Sequence, residues 1–176
     1  MRDTDSRPPR AAGVNRMPAW ESGGLWSTAS DGGGESAVEG QSMSEIEYRI
    51  EPELSDRDLN GLFATAWENH KERTFGEVLA RSLTYAAAFD GARLVGFVNV
   101  AWDGDVHGFI LDPTVHRAYQ RRGIGTEMMA RVARVASDRG LEWLHVDYDS
   151  HLQAFYEGCG YEKTDAGLLK VWAQAT

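Results

Sequence analysis

Apolar and polar residues follow a regular pattern only from about residue 44 onward. Residues 1–43 contain seven glycines together with scattered Ser and Pro. Their branched aliphatic residues are only Val14, Leu25 and Val38. Because such a segment cannot bury enough apolar surface to offset the entropy of ordering, we expect a disordered tail over residues 1–43. A folded domain is expected over residues 44–176, and Met43 is a candidate start site for it.

The first part of this domain predicts one strand and two helices. Alternating apolar residues over Ile46–Ile50 are typical of a half-exposed strand. Ser55 is placed to cap a helix, and Asp58 lies near the positive end of that helix. An apolar stripe at helical spacing follows, made of Leu59, Leu62, Phe63, Ala66 and Trp67. A shorter helix is predicted after Thr74, with three residues facing inward: Phe75, Val78 and Leu79.

Three consecutive strands with tight turns are predicted in the middle of the chain. Thr84–Phe89 and Arg93–Trp102 are strand-like, and Asp90-Gly91 between them is a strong hairpin signal. Asp103-Gly104 is a second turn of this kind and leads into a strand over Val106–Leu111. Because such turns join neighbouring antiparallel strands, we expect an antiparallel meander here.

The last part of the chain alternates between helices and strands. A helix that Gly140 terminates is predicted from four apolar residues: Met129, Val132, Val135 and Ala136. Trp143–Tyr148 then has the pattern of a strand, and His151–Glu157 that of a short helix. Leu168–Trp172 is predicted to form the last strand.

Composition and charge exclude several classes of protein. The net charge is −9 and the pI is near 5.0, which argues against nonspecific nucleic-acid binding. The single cysteine, Cys159, excludes an internal disulfide framework and fits a reducing compartment. The chain has neither an apolar run of membrane-spanning length nor the apolar core of a secretory signal. We therefore expect a cytoplasmic protein without membrane or nucleic-acid partners.

The segment Thr114–Thr126 carries the most distinctive chemistry of the chain. A predicted strand runs into it and a predicted helix leaves it, so backbone N–H groups and the positive helix end are available to an anion. Gly123 and Gly125 let the main chain approach a bulky diphosphate. Arg121 and Arg122 add charge that can reach phosphate oxygens. The end of this segment is therefore predicted to bind a pyrophosphate group.

Two sequence blocks together resemble the GNAT superfamily of acyl-CoA N-acyltransferases. The first block, Gln120–Gly125, has the pattern Gln/Arg-x-x-Gly-x-Gly/Ala. The second block has three residues at the family's positions: Tyr156, Gly160 and Tyr161. Asp149 stands where the family usually has Asn, and Leu152 where it usually has Ala, so no family role is assigned to Asp149. The resemblance covers roughly the range from Ile46 to Trp172.

The resemblance implies an α+β fold of the layered α/β type. The expected sheet is mixed and mostly antiparallel, with about six or seven strands and with helices on both faces. Two neighbouring parallel strands, here Val106–Val115 and Trp143–Tyr148, would splay apart to admit acyl-CoA.

Acetyl-CoA is the acyl donor that the resemblance implies, and no metal is expected. Backbone groups of Thr114 and Val115 would pair with the pantetheine arm, as an added strand would. The pyrophosphate would contact a continuous set of residues: Gln120, Arg121, Arg122, Gly123, Ile124, Gly125 and Thr126.

For catalysis, the resemblance implies that an amine attacks the thioester directly, without a covalent enzyme intermediate. Tyr156 has the family position of the general acid that assists departure of the thiolate. The base stays open among three residues, any of which could take the amine proton directly or through water: His107, His145 and Asp147.

The sequence encodes the acceptor only weakly. A small cationic amine is favoured by four carboxylates and two aromatic residues, namely Asp103, Asp105, Asp147, Asp149, Trp102 and Tyr148. A protein lysine or an N-terminus is an alternative acceptor. A catalytically silent acyl-CoA-binding sensor or interaction module is an alternative of another class. The sequence is also compatible with a homodimer.

Overall fold

The computed structural model describes residues 45–169, and the predicted tail over residues 1–43 lies outside this range. Within it, five strands and four α-helices follow one another in chain order. They are β1 Glu47–Ile50, α1 Asp56–Ala66, α2 Gly76–Arg81, β2 Thr84–Asp90, β3 Arg93–Trp102, β4 His107–Val115, α3 Ile124–Asp138, β5 Trp143–Val146 and α4 Gln153–Gly158. Single turns of 3-10 helix over Arg117–Tyr119 and Ser150–Leu152 precede α3 and α4.

The five strands form one sheet in the order β1-β2-β3-β4-β5. Neighbouring strands from β1 to β4 are antiparallel to each other, whereas β4 and β5 are parallel. The expected mixed, mostly antiparallel sheet with a parallel pair is therefore confirmed.

The predicted last strand differs from the structure in the part that is described. Leu168 and Leu169 belong to no strand, and their side chains are 84% and 85% exposed. The remainder of the predicted strand, from residue 170, lies outside the described residues. Residues 45–169 thus contain five strands, where six or seven were expected, because no sheet neighbour or packed layer covers the two leucines.

Helices cover both faces of the sheet, as expected. On one face, α3 and Tyr156 of α4 pack on small and branched residues of the central strands, including Ala88, Val98 and Ile110. On the other face, Phe63 of α1 packs with Phe97 of β3. The periodic stripes of α1 and α3 therefore account for the two apolar cores.

Two predicted helix ends are found in the structure. The Ser55 side chain accepts a hydrogen bond from the Asp58 backbone N–H at 3.1 Å, which confirms the predicted cap of α1. Gly140 has a φ of +93° just after α3, as a helix-terminating glycine does. The inward direction predicted for Val78 is wrong, because α2 has only six residues and leaves this side chain 37% exposed.

No helix within residues 45–169 is long and apolar enough to cross a membrane.

A bulge in β4 marks the point where the parallel strands separate. Phe97 pairs with Thr114 but Asn99 pairs with Leu111, so β4 contains one extra residue relative to β3. Asp112 in this extra stretch has a φ of +53°. On the other side, pairing with β5 ends at Ile110, and β5 itself ends two residues before the predicted Tyr148. Within the described residues, β4 therefore runs on to Val115 without β5 beside it, which confirms the splayed pair.

Candidate active site

The first turn of α3 offers backbone donors to an anion. Gly123 precedes the helix with a φ of +78°, and no side chain caps the N–H groups that follow. Ile124 is buried in the core, so this residue contributes to the loop through its backbone. A Cβ placed on Gly123 would have no atom within 4 Å, so this side of the loop is open. An open glycine beside uncapped helical N–H groups fits a diphosphate.

The two arginines of the loop are exposed and available. The Arg122 guanidinium lies 5.1 Å from the centre of the Tyr119 ring. The Tyr119 hydroxyl donates to the Asp90 carboxylate at 2.6 Å, which fixes the ring that supports Arg122. Neither Arg121 nor Arg122 forms an ion pair with another residue of the range 45–169. Both charges can therefore reach a bound phosphate.

Three of the predicted cofactor residues also hold the local structure together. The Gln120 side chain donates to the Val115 carbonyl at 3.2 Å. Burial raises the pKa of the Cys159 thiol at the end of α4, and the neighbouring Thr126 side chain partly offsets this rise. A Cβ on Gly125 would lie 3.3 Å from the Phe155 ring, so this glycine leaves room for α4. The sequence reasoning missed this packing role of Gly125.

Thr114 and Val115 lie in the part of β4 that pairs with β3 but, among the described residues, not with β5. Thr114 is buried, and its hydroxyl donates to the Asp112 carbonyl at 3.0 Å. Beyond Ile110, the edge of β4 that β5 has left is open to an extended ligand arm.

Tyr156 lies at the centre of an aromatic cluster and is only 3% exposed. Its ring stacks on Tyr148 at 4.5 Å and meets Phe155 and Tyr161 edge to face. Burial, with smaller contributions from Cys159, Tyr148 and Asp147, raises the pKa of the Tyr156 phenol above its ordinary value. The hydroxyl therefore keeps its proton at neutral pH and can donate a hydrogen bond.

Two of the base candidates are in direct contact. Nδ1 of His107 lies 2.8 Å from Nε2 of His145, across the parallel strands β4 and β5. The Phe109 ring stacks on His145 at 5.1 Å. A hydrogen bond between two imidazoles requires a free lone pair on one of them, so the pair holds at most one extra proton while the contact lasts.

The histidine pair and Tyr156 lie on opposite faces of the sheet. Phe109 and His145 are paired in register and so share a face. Ile110 follows Phe109, points the other way, and packs in the core that contains Tyr156. Both groups therefore lie near the last pair of β4 and β5, one on each side of the gap where these strands part. Asp147, the third base candidate, follows the last residue of β5.

Sequence reasoning missed two charged residues near the gap. The Arg73 guanidinium lies 2.8 Å from the Asp112 carboxylate, which connects the loop after α1 with the bulge of β4. An Asp-Pro pair inside a predicted strand was the available signal for this bulge, because proline cannot donate to a sheet ladder. Within residues 45–169, no cluster of three or more His, Cys, Asp or Glu side chains could hold a metal ion.

Comparison with known proteins decides the family. Residues 42–161 match the Acetyltransferase (GNAT) family. The chain belongs to the GNAT family. A relative of this GNAT chain, an uncharacterized N-acetyltransferase ycf52-like protein of Prochlorococcus marinus, is 28% identical over 104 residues. The match covers 57% of this chain and 58% of that relative.

Solved structures share the GNAT fold. A putative acetyltransferase from Deinococcus radiodurans is 25% identical, with a TM-score of 0.64 over 75% of this chain and 92% of that one. An aminoglycoside N-acetyltransferase, AAC(6')-Iy, solved in complex with CoA, is 15% identical, with a TM-score of 0.59 over 75% of this chain and 97% of that one. The second similarity concerns the fold alone.

Proposed function

We propose that this GNAT chain transfers an acetyl group from acetyl-CoA to a primary amine. The carrying observation is that a protonated phenol and an imidazole pair flank the gap between β4 and β5 from opposite faces. Such an arrangement lets an amine approach from one side while the thiolate leaves on the other. No covalent enzyme intermediate is needed.

The donor is held by residues of the α3 loop and of β4. Backbone N–H groups at the start of α3, with Arg121 and Arg122, bind the pyrophosphate. The open edge of β4 at Thr114 and Val115 pairs with the pantetheine arm. This directs the thioester towards the bulge, next to Tyr156.

The proton transfers divide between the two faces. A lysine-like amine with a pKa of about 10.4 is less than about 0.1% neutral at pH 7, so it must lose a proton before attack. We assign this step to His145 supported by His107, because an imidazole accepts a proton more readily than the Asp147 carboxylate near neutral pH. As the neutral amine nitrogen bonds to the carbonyl carbon and the C–S bond breaks, the nitrogen releases its second proton to solvent, and Tyr156 donates a hydrogen bond to the departing thiolate.

The acceptor we favour is a small cationic amine. Hydrogen bonds from the backbone N–H groups of Asp105 and His107 lower the pKa of Asp103, so this carboxylate stays charged beside the histidine pair. A fixed negative charge at this position attracts an ammonium group. The aminoglycoside N-acetyltransferase of the same fold supports a small-molecule acceptor.

The decisive test is the loss of one hydroxyl at Tyr156. Wild type and Tyr156→Phe are compared by thiol release from acetyl-CoA with a panel of amines and by calorimetric titration of acetyl-CoA. Because the hydrogen bond forms chiefly in the transition state, we expect kcat to fall by roughly tenfold to a thousandfold. The dissociation constant of acetyl-CoA should change little.

Tyr161→Phe is the matched control, because it removes a buried hydroxyl from the same aromatic cluster. Its turnover should equal that of wild type. Unchanged turnover in Tyr156→Phe, with chemistry rate-limiting, would remove the acid role. If the wild type binds acetyl-CoA but acetylates only peptides, a protein acetyltransferase replaces this proposal. Acetyl-CoA binding without transfer to any amine or peptide would favour the silent binding module.

A further inference from the structure

One ion pair joins the loop between α1 and α2 to the bulge of β4. The Arg73 guanidinium and the Asp112 carboxylate are 2.8 Å apart, although 39 positions separate them in the sequence. Their side chains are 46% and 25% exposed, so solvent screens the pair and its contribution to stability is small. A pair of this kind matters more for where it holds two segments than for how firmly it holds the fold.

The Arg73 end of this pair is fixed by its backbone. The Asn60 side chain of α1 donates to the Arg73 carbonyl at 2.9 Å and accepts from the Arg73 N–H at 3.1 Å. Nε2 of His70, from the same loop, lies 2.8 Å from Oδ1 of the Asn60 side chain. Asp56 accepts from the Phe75 N–H at 2.8 Å, which fixes the end of the loop. Arg73 therefore extends to the sheet from a loop that α1 anchors at Arg73 and Phe75.

The Asp112 end lies in the most irregular part of β4. A φ of +53° is a conformation that few residues other than glycine adopt, though Asp and Asn tolerate it best. The Asp112 carbonyl accepts a hydrogen bond from the Thr114 hydroxyl. This hydrogen bond links Asp112 to the β4 edge at Thr114.

We propose that Arg73 and Asp112 form a latch that transmits occupation of the β4 edge by acetyl-CoA to the loop over residues 67–75, which forms a wall of the acceptor site. This inference rests on the proposed function. The loop lies on the α1 face of the sheet, the same face as His145. Arg73 and Asp112 are positioning residues: they touch neither reacting group, and they make the acceptor wall respond to the donor.

Amide hydrogen exchange with and without acetyl-CoA tests the latch without needing the acceptor. In the wild type, acetyl-CoA should slow exchange at residues 114–126 and also at residues 67–75, the latter by about fivefold or more, the lower end of usual coupling between sites. Asp112→Asn keeps a residue that tolerates positive φ but removes the charge. In this variant and in Arg73→Gln, protection of residues 114–126 should remain while that of residues 67–75 is lost.

Arg81→Gln is the matched control. This substitution breaks the ion pair between Arg81 and Glu77. Both residues lie on α2, and their side chains are 79% and 82% exposed, so the pair does not connect α2 to β4. The response of the loop should be the same in this variant as in wild type. With an acceptor, Asp112→Asn and Arg73→Gln should each raise the KM of the amine, and the double variant should be no worse than either single one.

Three outcomes distinguish the inferences. If acetyl-CoA protects residues 114–126 while residues 67–75 never respond in the wild type, the latch is overturned and the proposed function stands. A loop that still responds in Asp112→Asn, or multiplicative effects in the double variant, would also overturn it. If the wild type does not bind acetyl-CoA at all, the proposed function fails, and the latch with it.

Discussion

Tyr156 and His145 differ in how closely the surrounding residues hold them. Tyr156 is packed among three aromatic rings, so any change beyond its hydroxyl would disturb the core. His145 lies at the surface, and its side-chain contacts within residues 45–169 are a stack on Phe109 and a contact with His107. A substitution at His145 therefore isolates its chemistry from its packing.

His145→Gln should lower kcat/KM for an amine by roughly a hundredfold to ten-thousandfold near pH 7, the scale of one general base. Glutamine can keep a hydrogen bond to His107 but cannot take up the proton of the amine. The measurement is kcat/KM for the amine at fixed pH, together with the dissociation constant of acetyl-CoA, which should not change.

His151→Gln serves as the control, since His151 lies in the turn before α4 and away from the histidine pair. Its kcat/KM should match that of wild type. If His145→Gln also retains the wild-type kcat/KM, the base must be sought at Asp147 or in solvent.

The roles of these residues could be predicted from sequence to different depths. The proposed role of Tyr156 comes from the family resemblance, which its local spacing to Gly160 and Tyr161 carries. The contact of His107 with His145 depends on the register of two strands 38 positions apart, and no local pattern determines that register. The Arg73–Asp112 pair was unpredictable for the same reason.

At the level of elements, the first turn of α3 supports α4. Gly125 lies against the Phe155 ring, and the Thr126 side chain neighbours the Cys159 thiol. Since α4 carries Tyr156, the loop proposed to hold the pyrophosphate and the helix with the proposed acid form one packed unit. A defect at Gly125 should therefore affect both binding and turnover.

Gly125→Val should lower the free energy of unfolding by about 1–3 kcal/mol, because its methyl groups would overlap the Phe155 ring. We also expect turnover to fall, because Phe155 and Tyr156 must shift together. Gly158→Ala, in α4 itself, places a methyl group where no atom lies within 4 Å and should change neither quantity. Urea unfolding and the thiol-release assay measure the two effects. Wild-type stability in Gly125→Val would show that α4 adjusts without cost.

For the whole molecule, the hydrophobic pattern predicted the core of the fold well. Arg93–Trp102 is the observed β3 without any change in its bounds, because two hairpin turns limit it. β4 extends four residues past Leu111, the end that the alternation predicts, since the bulge interrupts that alternation, and it stops at Val115, the end that the family resemblance implies. The gap beside β4 could be expected only from the family resemblance, because it depends on where two strands distant in the sequence stop pairing.

A chain beginning at Met43 should retain the fold and the binding of acetyl-CoA. The first described strand starts at Glu47 and pairs with β2, so all five described strands follow Met43 in the chain. We expect a melting temperature within about 2 °C of the full chain, and an unchanged dissociation constant for acetyl-CoA. Differential scanning calorimetry and titration calorimetry provide the two values. A marked loss in either would mean that residues 1–42 stabilise the domain.

The edge of β4 that continues past the end of its pairing with β5 has a consequence for solubility. An open sheet edge is a template on which strands of other molecules can add, which leads to aggregation. Pro113 has no N–H to donate there, and Asp112 turns the backbone out of the extended conformation. The edge thus offers no unbroken ladder to a foreign strand, whereas a short ligand arm needs only isolated bonds. The bulge beside the gap therefore also prevents a neighbouring molecule from adding a strand to this edge of β4.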